Sequence, residues 1–166
     1  MKFLGRQMKT MLLILTLLFS TSSYAEDFLK DYNVYFFGLV KHFEPTDKTN
    51  EGNMQYFAVS KSFTSEKWTY EGGVGTYKDS YNMRSYILFA NILNDDYRYG
   101  IFQPLIGLQV SYKGVDYVSD DMKVIAFPTL KLRVGAKDGF FADIMAIPKI
   151  GTITNGVVSV EFGYSF

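Results

Sequence analysis

The stretch Val158-Ser159-Val160-Glu161-Phe162-Gly163-Tyr164-Ser165-Phe166 sets Val158, Val160, Phe162, Tyr164 and Phe166 on one side of an extended chain and Ser159, Glu161, Gly163 and Ser165 on the other. Side chains of a strand alternate between faces, so this reads as a two-faced β-strand. It fits two folds. In a soluble sandwich the apolar set faces a core and the polar set faces water. In a membrane barrel the apolar set faces lipid and the polar set lines the interior.

The rest of the chain separates these alternatives. After Glu26 no apolar stripe of helical period is long enough for a packed helix, whereas Val, Ile, Tyr, Phe and Leu recur in runs between turn-rich gaps. Strands are expected at 32–41, 54–63, 69–78, 84–93, 97–110, 122–134, 140–148 and 156–166, eight in number. Asn94-Asp95-Asp96, Lys137-Asp138-Gly139 and Thr154-Asn155-Gly156 supply turn chemistry between them. An even count of strands of about ten residues, with 28 Phe and Tyr spread along the chain, favours an all-β, eight-stranded antiparallel transmembrane barrel.

Export points the same way. Lys2, Arg6 and Lys9 precede the apolar run Met11 to Phe19, and Ser20 to Ala25 follows with small residues before Glu26. That is the pattern of a secretory signal over 1–25, leaving 26–166 as the barrel domain. The apolar run is too short to span a bilayer as a helix. The remaining segment has 14 basic and 17 acidic side chains, a balance that offers no surface for nucleic acid. It has no Cys and one His, which excludes disulfide staples and a multi-histidine zinc site. A closed barrel dispenses with staples, because every strand edge is paired and lipid solvates its outer face. The terminal Phe166 resembles the carboxyl-terminal signal read by the barrel assembly machinery, which places the chain in a bacterial-type outer membrane.

With both termini on the periplasmic side, the outward connections are 42–53, 79–83, 111–121 and 149–155, and the inward turns lie near 64–68, 94–96 and 135–139. His42, Asp79 and Ser80 then share one rim. A His can take a proton from a hydroxyl in acyl transfer, and an Asp can orient it. Asp-Ser is equally ordinary turn chemistry, because short polar side chains bond to their own backbone.

Tyr77-Lys78-Asp79-Ser80-Tyr81-Asn82 resembles the aromatic-Lys-Asp-Ser-aromatic-Asn segment of the outer-membrane lipid A palmitoyltransferase family, eight-stranded barrels that move an acyl chain from a phospholipid to lipid A. His42, after an aromatic strand and before Asn50-Glu51, matches that family's catalytic His. The resemblance implies His42 as proton-transfer residue, Asp79 as its orienting partner and Ser80 as a polar catalyst or transition-state donor. It also implies Asn91 at the floor that measures acyl length. Beside it, Asn50 and Glu51 are candidates for ordering the first loop or binding headgroups, and Arg84 for meeting phosphate or, as an isolated rim Arg more often does, anchoring at the membrane interface. Pro128 and Ile147-Pro148 resemble prolines that interrupt strand pairing and admit lipid sideways, a role suited to a residue with no backbone donor. A membrane phospholipid donor and a lipid A or related glycolipid acceptor follow as partners, with no metal or organic cofactor. The chain departs from the family in a shorter amino end at Glu26–Asp31 and a shorter loop before Asn50. The competing readings are a noncatalytic structural barrel, a surface-interaction module and a lipid-binding barrel.

Overall fold

The computed structural model describes residues 29–43, 52–79, 82–114, 122–150 and 154–166. The expected signal segment 1–25 lies outside these residues. Among the described residues nine strands follow in chain order: β1 (Tyr32–His42), β2 (Gly52–Asn53), β3 (Phe57–Ser65), β4 (Trp68–Lys78), β5 (Arg84–Asn94), β6 (Phe102–Gly114), β7 (Met122–Gly135), β8 (Gly139–Ile150) and β9 (Thr154–Ser165). Each long strand pairs antiparallel with the next, and β1 closes the ring on β9 from Asn33↔Ser165 to His42↔Val157. The result is a closed eight-stranded antiparallel barrel, within the compact unit Asp31–Ser165. The two-residue β2 adds to the upper part of β1 at Val40↔Gly52, where β3, which pairs Tyr32–Tyr35, no longer reaches.

Alternation along each strand turns this barrel inside out relative to a soluble protein. Phe63, Ile106, Val124 and Phe140 on the outer face are 67–71% exposed, while Glu71 and Glu161 on the inner face are 2% exposed. In β9 the apolar set beginning with Val158 faces outward and the set containing Glu161 faces inward, so the sandwich alternative fails. Outer aromatics gather toward strand ends (Phe57, Tyr86 and Tyr112 at one end; Phe63, Trp68 and Phe102 at the other), with Val74, Leu88, Leu108 and Ile144 between. An apolar belt with aromatic girdles around a polar interior is the construction of a bacterial outer-membrane barrel. The short connections between β3 and β4, β5 and β6, and β7 and β8 share one end with Tyr32 and Ser165, which is the periplasmic end.

The strand expected at 97–110 begins later, at Phe102. Asn94 accepts from the Asp96 amide and caps a 3-10 turn over Asp95–Tyr97, and Gly100 takes a φ of +62°. Local capping thus outcompetes the β-propensity of Tyr97 and Tyr99.

Interior glycines make room for rings. A Cβ on Gly73 would come within 2.4 Å of the Phe89 ring, and one on Gly163 within 2.5 Å of Phe141. Both rings pack edge-on against Tyr35, with centroids 5.8 and 5.2 Å away. The Gly-rich stretch of β4 therefore buys interior volume for aromatic packing.

Candidate functional site

His42 reaches the interior through an irregularity. Asn33 and Tyr35 face inward, but the β1–β9 register shifts between Tyr35 and Phe37, so Phe36 is an extra residue. One inserted residue reverses the parity of everything beyond it. Gly38, Val40 and His42 consequently take the inner face, and His42 is 6% exposed at the outer rim. Unbroken alternation would have sent His42 into lipid.

Asp79 follows the last residue of β4 on the same rim and is 2% exposed. Its carboxylate accepts from Ser85 Oγ at 2.8 Å, the Gly114 amide at 2.8 Å and the Met83 amide at 3.0 Å. It therefore ties the 79–83 connection to β5 and β6. Asn82, at a φ of +63°, donates its amide to the Asp79 carbonyl and accepts from Lys78 Nζ. These bonds give Asp79 a structural task at the rim.

Ser80, Asn50 and Glu51 lie outside the described residues. Arg84 opens β5 on the exposed outer side and donates to Gln55, 3.4 Å to its carbonyl and 3.3 Å to Oε1. Asn91 is far from the rim. It faces inward in the lower interior and its Nδ2 donates to Glu71 Oε2 at 3.2 Å, while its buried Oδ1 has no hydrogen-bond partner among the described residues.

Below the rim the interior has two layers. Met54, Tyr56, Ala58, Ile87 and Phe89 form an apolar layer, flanked by Val40 and Tyr77. Beneath them Arg133 binds Asp143 through two nitrogens at 2.7 and 2.8 Å, and its Nη2 donates to Glu71 at 3.1 Å and to Tyr35 at 2.8 Å. Tyr35 OH lies 2.8 Å from Glu71, which also accepts from Ser60 and Asn33. Lys131 bonds Glu161 at 2.9 Å. This cluster spans the barrel from β1 to β9 and closes its lower half. Sequence reasoning put Glu161 on the polar face of β9 but missed the rest; the available signal was charge at alternate positions of apolar strands, as in Lys131 and Arg133 of β7. Among the described residues no group of three or more acidic or imidazole side chains is set to hold a metal ion.

The wall itself is uneven. Fourteen residues of β7 and twelve of β8 could form a long ladder, yet they pair only over Lys131–Gly135 with Phe141–Met145. Above Lys131 and Met145 the described strands are unpaired with each other, and Pro128 and Pro148 occupy this stretch. On its other side β7 is laddered to β6 throughout, from Phe102↔Val134 to Gly114↔Met122. Ile125 and Phe127 share the inward parity of Thr129 and Lys131, so the unpaired edge borders the upper interior.

No family model and no curated protein sequence matches the chain. Among solved structures it is similar to the crystal structure of Ail, the attachment invasion locus protein of Yersinia pestis, with 14% identity, 81% of this chain and 95% of that chain covered, and a TM-score of 0.36.

Proposed function

We propose that this protein is a lipid-binding outer-membrane barrel that receives the acyl tail of a membrane lipid through the upper β7–β8 seam. The observation that carries this reading is the end of pairing at Lys131↔Met145. Unpaired strand edges are costly in hydrocarbon and are tolerated where they border a cavity or where prolines remove donors. The apolar layer around Tyr56, Ile87 and Phe89 offers a tail a matching environment above the charged cluster. That cluster argues against a through-channel, since a solute would have to displace the Arg133 ion pairs.

Leu130 and Ala146 stand at the next register position above the last pair, and the chain has no native cysteine. Oxidised Leu130→Cys/Ala146→Cys should lose co-purifying phospholipid and recover it on reduction. Lipid retention unaffected by the lock would refute entry at this seam.

A second reading, acyl transfer to lipid A or a related glycolipid, is favoured by the inward orientation of His42 and Asp79 at one rim. In this reaction the acceptor hydroxyl gives its proton to His42 and its oxygen attacks the ester carbonyl of the phospholipid. The lysophospholipid oxygen leaves and takes the proton back from His42. Asp79 orients the imidazole, Ser80 donates to the developing oxyanion, and Asn50, Glu51 and Arg84 hold headgroups. Mass spectrometry of reconstituted phospholipid and lipid A should show acylated product and lysophospholipid with the unaltered chain. His42→Ala should lower the rate about 10²- to 10⁴-fold, and Asp79→Asn should also suppress it. Product formation unchanged in both variants excludes this mechanism, and absence of product with the folded, unaltered chain leaves the noncatalytic reading.

A further inference from the structure

The outer wall opposite the β7–β8 seam carries a groove. Tyr32, Lys61, Gly72, Ala90 and Leu108 lie in one cross-strand row, each paired with the next. The row above it is Val59, Val74, Leu88 and Val110, and the row below is Phe63, Tyr70, Ile92 and Ile106. All of these side chains face outward. Gly72 and Ala90 are small between two ridges of large residues about 7 Å to either side. A Cβ on Gly72 would meet nothing within 4 Å, so the floor there is open. The depression has a volume of about 520 Å³.

Lys61 ends this groove. It is exposed on a strand face otherwise built for lipid, with Nζ 4.8 Å from the centre of the Tyr32 ring. A cation on the lipid face of a barrel is costly unless its ammonium reaches the interface or a counter-charge. Tyr32 is the first residue of β1, at the periplasmic end, so Lys61 belongs to the leaflet where phospholipids meet the periplasm.

We propose that this groove is a phospholipid site distinct from the seam. The lipid phosphate pairs with Lys61 beside Tyr32, and one acyl chain lies over Gly72 and Ala90. The charge at one end of an apolar trough selects an anionic amphiphile, whereas a second copy of the chain would have to bury Lys61 against a like surface. The site is separate from the proposed seam: its floor, Gly72 on β4 and Ala90 on β5, is divided from β7 by β6.

The test uses the full chain carrying the oxidised Leu130→Cys/Ala146→Cys lock, so that the seam cannot contribute lipid. Native mass spectrometry from detergent would follow retention of palmitoyl-oleoyl phosphatidylglycerol and of diacylglycerol with the same tails. The expected result is one retained phosphatidylglycerol, little diacylglycerol, and about tenfold weaker retention in Lys61→Gln, which loses the charge-assisted bond. Gly72→Leu should lose retention by filling the floor; Ala90→Leu replaces it should the glycine variant not fold, and gel mobility reports folding. Equal retention by folded Lys61→Gln, equal retention of diacylglycerol, or a dimer abolished by Gly72→Leu would overturn the proposal. Failure of the seam reading leaves these outcomes unchanged, because the lock is then without effect.

Discussion

Below Lys131 the β7–β8 wall is laddered and braced from inside by Arg133, whereas above it the same two strands carry no mutual pairs and a proline each. The contrast divides the labour of a small barrel. Its lower half spends buried charge on holding the ring closed, and its upper half forgoes backbone pairing where lipid and interior meet. Buried ion pairs are demanding, because each carboxylate left without a partner keeps its desolvation penalty. Their concentration on one level ties β1, β4, β7 and β8 together beneath the weakest part of the wall.

The largest expected effect comes from removing the brace. Arg133→Met leaves Glu71 and Asp143 buried without their cation and should destabilise the barrel by about 3–5 kcal/mol. Urea unfolding in lipid vesicles, followed by fluorescence of the single tryptophan, Trp68, measures it. Arg133→Met combined with Glu71→Gln and Asp143→Asn should recover much of the loss; a triple variant as unstable as the single one would break the ion-pair explanation.

Deleting Phe36 comes next. It removes the register shift, returns His42 to the lipid face and, under the acyl-transfer reading, should abolish turnover as fully as His42→Ala, about 10²- to 10⁴-fold. Full activity after the deletion would mean the parity argument is wrong. A smaller effect should follow Pro128→Ala, which restores a backbone donor in the upper half. A gain of no more than about 1 kcal/mol in stability with slower lipid exchange is expected, and no change in exchange would separate the proline from the opening. At the bottom of the scale, Lys137→Ala removes an exposed pair with Asp95 (3.1 Å) and should shift unfolding by less than about 1 kcal/mol.

Much of the fold was legible because period-two alternation survives in most strands and turn residues punctuate them. Val158–Phe166 and the Asp138-Gly139 turn fall where the sequence puts them. The misreading at Tyr97–Ile101 has a local cause, since aromatic β-formers there follow an Asn cap that starts a 3-10 turn. The rim was legible only as proximity in topology. That His42 points inward depends on a bulge at Phe36, and nothing in the Phe36-Phe37 pair reveals which residue is the extra one. The charged cluster was harder still, because Glu71 and Arg133 are 62 residues apart and meet only across the interior of the closed eight-stranded ring. Asn91, expected beneath an acyl chain, faces inward below the apolar layer and donates to Glu71, a partner 20 residues away that its own strand does not reveal.

The seam account is tested most directly by a phospholipid carrying a photoreactive diazirine at the end of one acyl chain, incorporated with the folded barrel into vesicles and mapped by peptide mass spectrometry. The account predicts labelling of the inward residues Ile125, Phe127 and Ile147, lost when Leu130→Cys/Ala146→Cys is oxidised and retained when the lower pair Leu132→Cys/Ile144→Cys is locked instead. Labelling confined to outward residues such as Val124, Leu130 and Ile144, unaltered by either lock, would contradict it.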